Sequence, residues 1–230
     1  MKLLIDCADI EQIKTMYEWY PLEGVTCNPT ILKRAGRPPY EALTDIRNFI
    51  GDQGDLHVQM VSSTVEGMIA EAQYVLTRLG KTTYIKIPVD NIGLMAIRRL
   101  HAMGIRVTAT AIYHPMQAFL AAQAGADYAA PYVNRIEVLS GNGVETACLI
   151  EDIFQKNKLS CHVLGASFKR IDQVQSLINN GLYSATLSAD LLKSLLVSAD
   201  TDKAIHDFAA DFYELCGPNK TMLNCDGEKA

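Results

Sequence analysis

The residue with the clearest chemical potential is Lys86, in the apolar run YIKIPV at 84–89. Lysine is almost never buried unless its charge is paired or used in a reaction. In a strand, Ile85, Ile87 and Val89 share one apolar face, and Lys86 points to the other. Desolvation makes an amine lose its proton more easily, so it becomes a nucleophile towards a carbonyl carbon. The run therefore predicts Schiff-base chemistry at Lys86, with an ion pair to Asp6 as the purely structural alternative.

Polar residues stand near the ends of seven successive apolar runs: Asp6, Asn28, Gln59, Lys86, Thr110, Tyr132 and Ser167. Each of them alone can be explained by a purely structural role, such as a helix cap or a hydrogen bond to a local carbonyl. In a parallel barrel, however, the active site lies at the carboxyl ends of the strands. Seven polar side chains at that end predict one shared site.

The runs that position these residues are short, apolar or β-branched, and they alternate with longer amphipathic segments. This alternation is typical of repeated βα units. The predicted strands are 2–6, 24–26, 56–61, 82–89, 105–112, 127–133, 160–167 and 183–188. Eight strands predict an α/β fold of the (β/α)8 TIM-barrel class.

The intervening segments predict helices, the first beginning at Asp9 with a capping box to Gln12 and another after Thr64. Further helices are predicted at 41–51, 92–103, 115–124, 144–157, 170–180, 189–197 and 202–215. Gly104, Gly125 and Gly181 each stand between a helix and a strand, where a residue that tolerates positive φ can end the helix. The last helix follows the eight βα units and carries an apolar stripe of Ile205, Phe208, Phe212 and Leu215.

The chain of 230 residues suits a single domain over 1–230, with a polar tail at 216–230 that we expect to be loosely held. A net charge of −5 argues against a nucleic-acid binder or a polybasic membrane-surface protein. The start MKLLID meets a carboxylate early, and no apolar run nears the ~18 residues of a membrane span. We expect a cytoplasmic protein with no nucleic-acid or membrane partner.

The cysteines and histidines predict neither a metal site nor a cofactor. Six scattered cysteines lack C-x-x-C spacing, and we expect reduced thiols. Cys7 and Cys27 fall near strand ends, but none of the five histidines pairs with them in an evident way, so a Cys–His nucleophile is the weaker alternative. Surface or capping roles are expected for most of the histidines.

Together, several segments resemble the small transaldolase family, and within it the fructose-6-phosphate aldolases. The matching segments are LIDCADIEQIK, GVTCNPTIL, HVQMV, EGMIAEA, YIKIPV, GLMAIRRL, AAQAGADYAAPYVNRIE and VLGASFK. The resemblance implies that Lys86 forms a Schiff base with the C2 carbonyl of a ketose phosphate. Cleavage would then give dihydroxyacetone and glyceraldehyde 3-phosphate without a cofactor.

The resemblance also implies roles for the other polar residues. Asp6 and Asn28 would hold donor hydroxyls and assist proton movement, with Thr26 beside them as a further substrate-binding candidate. The proton-transfer residues would be Gln59, Thr110 and Tyr132. Arg135 and Ser167 would bind the acceptor phosphate. Members of the family form ring-shaped decamers, so we expect a homo-oligomer.

Two positions distinguish the subfamilies, because transaldolases of this group typically carry Glu at the position of Gln59 and Phe at that of Tyr132. The chain therefore favours an aldolase over a transaldolase, and a catalytically idle phosphosugar-binding barrel is the remaining alternative. Cys7 and Cys27 stand where threonine is common, which leaves the named catalytic groups intact. Thr108 and His114 also differ from the relatives, and acceptor preference could shift accordingly.

Overall fold

The computed structural model describes residues 1–225, and these contain a closed barrel of eight parallel strands. The strands are β1 (Lys2–Asp6), β2 (Gly24–Thr26), β3 (Asp55–Gln59), β4 (Tyr84–Pro88), β5 (Val107–Ile112), β6 (Tyr128–Pro131), β7 (His162–Gly165) and β8 (Ser184–Leu187). Each strand pairs with the next, and β8 pairs with β1 to close the ring. The predicted TIM-barrel class is confirmed.

Helices follow the strands along the chain. They are α1 (Ile10–Trp19), α2 (Pro29–Ala35), α3 (Pro39–Ile50), α4 (Val65–Leu79), α5 (Asn91–Ala102), α6 (Pro115–Gln123), α7 (Val133–Ser140), α8 (Gly143–Lys156), α9 (Ile171–Asn179), α10 (Ala189–Ser194) and α11 (Ala199–Cys216). The extra C-terminal helix predicted at 202–215 is α11, and it begins three residues earlier.

Side-chain caps start several helices where the sequence predicts them. Asp9 Oδ1 accepts hydrogen bonds from the backbone N–H groups of Glu11 and Gln12, at 3.0 and 3.3 Å. Gln12 donates to the Asp9 carboxylate instead of completing a capping box through the backbone. Thr64 Oγ1 accepts from the Gly67 N–H at 3.1 Å and starts α4. These caps satisfy N–H groups that have no partner inside the helix.

Glycine ends three of the helices as predicted. Gly104, Gly125 and Gly181 have φ of 71°, 97° and 71°, and each is followed by a strand. A side chain is disfavoured at such angles, so glycine lets the chain turn back towards the barrel.

Two short helices differ from the prediction. The possible helix start at Asn28 is real and begins α2. The helix α7 was not predicted, and Val133, expected to end the sixth strand, is its first residue. Most strands are also shorter than the apolar runs that predict them.

Alternation along the strands separates the helix-packed wall from the barrel interior. Ile85 and Ile87 are fully buried against the helices, while Lys86 faces inward and is 6% exposed. The interior below Lys86 is filled by a cluster that includes Leu4, Tyr128 and Leu164. The inward position of Lys86 therefore follows from the register of β4.

The chain divides into two compact units, Met1–Leu192 and Lys193–Ala230. The first contains all eight strands, and the described part of the second contains α11 and a turn after it. A single domain over 1–230 stays a prediction, and residues 226–230 of the predicted tail lie outside the described residues. No helix in the described part of the chain is long and apolar enough to cross a bilayer.

Candidate active site

Lys86 lies in the middle of β4, with its side chain inside the upper barrel. Its Nζ donates a hydrogen bond to the backbone oxygen of Cys27, 3.2 Å away, at the end of β2. Its register partners are Gln59 on β3 and Thr108 on β5. The amine is thus held by a neutral carbonyl and surrounded by neighbouring strands.

Burial controls the electrostatics of this amine. It lowers the pKa of Lys86, while the charge of Asp6 acts in the opposite direction. The pKa of Asp6 is raised by burial, although Lys86 and a hydrogen bond from Thr26 oppose that shift. Both shifts favour the uncharged forms, and an uncharged amine is the nucleophilic form of lysine.

The alternative of an ion pair between Lys86 and Asp6 lacks a direct contact. Among residues 1–225, the basic and acidic side chains that approach within 4.0 Å of one another do not include this pair. Asp6 Oδ1 instead accepts from Thr26 Oγ1 at 2.6 Å. Because the hydroxyl of Thr26 donates its proton to Asp6, it must accept from Thr186, 2.8 Å away on β8. Asp6 is therefore oriented by threonines rather than by Lys86.

A cavity of about 310 Å³ opens at the carboxyl ends of the strands above Lys86. Six of the predicted site residues line it: Asp6, Asn28, Lys86, Tyr132, Arg135 and Ser167. Its size and its polar lining suit a small hydroxylated, anionic molecule. Five of the seven polar strand-end residues therefore line one cavity: Asp6, Asn28, Lys86, Tyr132 and Ser167.

Three predicted residues do not line this cavity. Thr26 lies beneath it and is fully buried. Thr110 is also buried, and its hydroxyl donates to Tyr132 Oη at 3.3 Å. Gln59 is next to Lys86 in register, but it lines a separate, more apolar cavity of about 550 Å³ beside α2, α3 and α4. Thr26 and Thr110 act on the cavity through Asp6 and Tyr132.

Asn28 combines a structural and a site position. Its Oδ1 accepts a hydrogen bond from the Ile31 N–H at 3.1 Å and caps α2, which is the purely structural role expected of it. The residue also lines the cavity. The cap fixes the amide at the cavity wall, which reconciles the two interpretations.

The phosphate candidates lie on the opposite side of the cavity. The guanidinium of Arg135 stands 4.5 Å from the ring centroid of Tyr132, and Nη1 donates to Tyr113 Oη at 3.4 Å. Ser167 has φ of 62°, a left-handed conformation that is uncommon for non-glycine residues. A planar guanidinium beside a hydroxyl can bind a phosphate group.

Sequence reasoning missed two cations at the same cavity. Arg34 on α2 and Lys169 after β7 both line it, and the charge of Arg34 opposes the burial that raises the pKa of Asp6. Lys169 was visible as the last residue of the segment VLGASFK. Arg34 gave no comparable signal, because it stands in a helix that the periodicity did not predict.

The cysteine alternative has no support in the geometry. Burial and the charge of Asp6 raise the pKa of Cys27, which keeps it a thiol. Its Sγ donates to the backbone oxygen of Cys7 at 3.1 Å. Within the described residues, neither cysteine makes a hydrogen bond to a histidine. All six cysteines are free.

The histidines fill one expected and one unexpected role. His114 caps α6 by accepting from the Met116 N–H at 3.2 Å. His57, in contrast, is fully buried inside the barrel and bonds to Thr108.

Comparisons with known proteins agree with this geometry. The family model described as "Transaldolase/Fructose-6-phosphate aldolase" matches residues 3–221. A probable fructose-6-phosphate aldolase of Streptococcus pneumoniae is 36% identical over 214 residues, covering 93% of this chain and 96% of the relative. A probable transaldolase of Coprothermobacter proteolyticus is 33% identical over 94% of this chain and 99% of its own length. A probable transaldolase of a Hydrogenobaculum strain is also 33% identical, over 96% and 99%.

Proposed function

The chain belongs to the transaldolase/fructose-6-phosphate aldolase family, and from that premise we propose that it is a class I aldolase with its Schiff base at Lys86. It would cleave fructose 6-phosphate, or a related ketose phosphate, reversibly to dihydroxyacetone and glyceraldehyde 3-phosphate. The observation that carries the proposal is the buried amine of Lys86, whose pKa is lowered at the base of a polar cavity.

The reaction follows from this amine. Neutral Lys86 attacks the C2 carbonyl of the ketose, and loss of water gives an iminium ion. Deprotonation of the C4 hydroxyl breaks the C3–C4 bond, whose electron pair passes to the iminium and leaves an enamine. Protonation of the enamine at C3 and hydrolysis by water release dihydroxyacetone and restore the amine.

Tyr132 is the best-placed group to move the C4 proton. It lines the cavity, and its hydroxyl accepts a hydrogen bond from Thr110, so its own proton points away from Thr110. Asp6 and Asn28 line the cavity on the β1 and β2 side, and they would hold the donor hydroxyls. Gln59 would assist from its position beside Lys86.

The phosphate of the acceptor would bind between Arg135, Ser167 and Lys169, which line one cavity. Barrels of this class often bind phosphate around their last βα loops. Arg34 adds a further positive charge on the α2 side. A sugar phosphate, rather than a nucleic acid or a membrane, is therefore the proposed partner.

Borohydride trapping tests the Schiff base. Incubation with dihydroxyacetone and borohydride should add the mass of the reduced adduct to the peptide that contains Lys86, and Lys86→Met should abolish both labelling and cleavage. Lys81→Met is the matched control, because Lys81 is exposed in the turn before β4 and should retain full activity. A Lys86→Met variant with wild-type activity would overturn the proposal.

A transaldolase is the second candidate, and the names of two relatives favour it. Such an enzyme would hold the enamine until an aldose phosphate accepts it. Gln59 and Tyr132 favour release of dihydroxyacetone instead. The phenol of Tyr132 can donate a proton to the enamine, whereas the phenyl ring typical of the transaldolases cannot. Fructose 6-phosphate alone should therefore yield free dihydroxyacetone, and a strict need for an acceptor would show the transferase.

The proposed assembly is a homo-oligomer. In the described part of Lys193–Ala230, α11 has no buried residues, and Phe208 and Leu215 are 71% and 81% exposed. An apolar stripe of this kind is commonly covered in an oligomer. Light scattering should give a mass several times that of the 25.3 kDa chain, and a monomeric mass at micromolar concentration would contradict the proposal.

A further inference from the structure

His57 is an ionisable residue in the barrel interior that the reaction outlined above does not use. It is completely buried, and Nδ1 lies 2.8 Å from Thr108 Oγ1. Its ring stacks on Tyr84, with centroids 4.6 Å apart and planes 10° from parallel. The edge of Tyr128 lies against it at 5.4 Å. These contacts fix both the position and the plane of the imidazole.

The strand register places this imidazole level with Tyr84, one inward-facing residue below Lys86 on β4. His57 pairs with Tyr84 and Thr108 pairs with Lys86, so the His57–Thr108 bond runs from β3 to β5 across the inner face of β4. The bond therefore crosses beneath the Lys86 side chain and forms the floor of the site. Burial, together with the positive charges of Lys86, Lys2 and Arg47, lowers the pKa of His57 and keeps it neutral.

Three buried side-chain atoms on β3 have no hydrogen-bond partner among the described residues: Asp55 Oδ2, His57 Nε2 and Gln59 Oε1. Asp55 Oδ2 lies 3.6 Å from Lys2 Nζ, so the two atoms without a charged neighbour of this kind are those of His57 and Gln59. Both side chains point to the same face, and their Cα atoms are roughly 6.6 Å apart because each residue rises ~3.3 Å. Buried polar atoms in native proteins are usually satisfied, often by an ordered water. One water between two side chains at this spacing can bond to both.

The donors and acceptors are complementary. When the Thr108 hydroxyl donates to Nδ1, neutral His57 carries its only N–H at Nε2. That N–H can donate to a water, and the water can donate to Gln59 Oε1. The Gln59 oxygen would then be turned towards the floor, which leaves its NH₂ group to face Lys86.

We propose that a buried water joins His57 Nε2 to Gln59 Oε1, and that His57 is thereby a positioning residue for the Gln59 amide. The catalytic consequence rests on the proposed aldolase function, whereas the water itself does not. With the amide fixed, Gln59 presents a donor to the water or hydroxyl at the reacting carbons. Without His57 the amide can flip and present an acceptor instead.

His57→Phe tests the proposal, because phenylalanine keeps a ring of similar volume and removes both nitrogens. We expect kcat to fall roughly tenfold, with KM within about twofold of wild type, since proton transfer rather than binding is disturbed. His57→Asn, which keeps an N–H donor, should recover part of kcat. Tyr84→Phe is the matched control in the same layer and should leave kcat unchanged.

Crystallography supplies a readout besides activity. Wild-type crystals should show a water within about 3.2 Å of both His57 Nε2 and Gln59 Oε1, and His57→Phe crystals should lack it. Wild-type density without this water, or His57→Phe with wild-type kcat, overturns the proposal. If His57→Phe does not fold, the water in the wild-type density and the kcat of His57→Asn still test the proposal. An enzyme that shows the water but no borohydride trapping disproves the aldolase function and leaves the water intact.

Discussion

Tyr132 is, with Gln59, one of the two residues that distinguish the two candidate activities. Its hydroxyl accepts from Thr110, and its ring carries the guanidinium of Arg135 on one face. The hydroxyl can therefore act on the substrate while the ring supports the phosphate site. In the proposed reaction, the two parts of this side chain would serve different steps.

Replacing Tyr132 with phenylalanine separates these parts, because only the hydroxyl is lost. We expect release of free dihydroxyacetone from fructose 6-phosphate to fall about 10²-fold, the scale of one proton-transfer group. Transfer to an added aldose phosphate should fall less, because both activities need C3–C4 cleavage but only release also needs a proton delivered to the enamine. Product assays with and without an acceptor measure the ratio of the two rates.

Tyr113→Phe is the control for that ratio. Its ring lies 5.6 Å from the ring of Tyr132, and its hydroxyl accepts from Arg135. Loss of this hydroxyl should raise the KM of a phosphorylated acceptor without changing the ratio of release to transfer. Equal losses of release and transfer in Tyr132→Phe would show that its hydroxyl does not distinguish them.

The individual site residues were predictable to different degrees. Lys86 stood out because a charge interrupts an apolar strand. His57 did not, because its neutral burial depends on Thr108, 51 positions later in the chain. A single sequence does not show which residues of distant strands meet, so the floor of the site emerged only from the structure.

At the scale of elements, the strands were easier to predict than the short helices. The eight apolar runs all became strands, because apolar runs between turn residues are a strong signal. Helix α2 has no buried residues, and α7 buries only Val133 and Ile136. Neither has enough apolar positions to produce a visible helical period.

These two short helices matter because they carry cationic site residues. Arg34 lies in α2, and Arg135 lies in α7. Arg135 was named only through the family resemblance, and Arg34 was not named at all. Charged residues on short helices at the strand ends are therefore where prediction from hydrophobic pattern failed.

At the scale of the whole molecule, His57 makes the free energy of unfolding depend on pH. Its pKa is well below the ordinary 6.5 in the native state and returns to about 6.5 on unfolding. Below pH 6.5 the unfolded chain thus binds a proton that the native chain does not. The free energy of unfolding should fall as pH decreases from 6.5, by up to about 1.4 kcal/mol per pH unit from this group.

Denaturant unfolding of wild type and His57→Phe between pH 5 and 7.5 measures this contribution. The difference between the two proteins is informative because Asp6 and Asp55, whose pKa values are raised, act in the opposite direction in both. Above pH 6.5 the difference should be constant, and below it wild type should lose stability relative to the variant. A constant difference over the whole range would mean that buried His57 takes up a proton normally.

The threonine pair beneath the site has a consequence for the newly made protein. Thr26 forms hydrogen bonds with both Asp6 and Thr186. The second strand that pairs with β1 is β8, which begins more than 180 residues after the start of the chain. During synthesis, the ribosome adds Asp6 and Lys86 long before it adds β8. Until β8 is added, the barrel that buries Lys86 is not closed. The lowered pKa of Lys86 therefore requires the closed barrel, and a chain that ends before β8 should lack it.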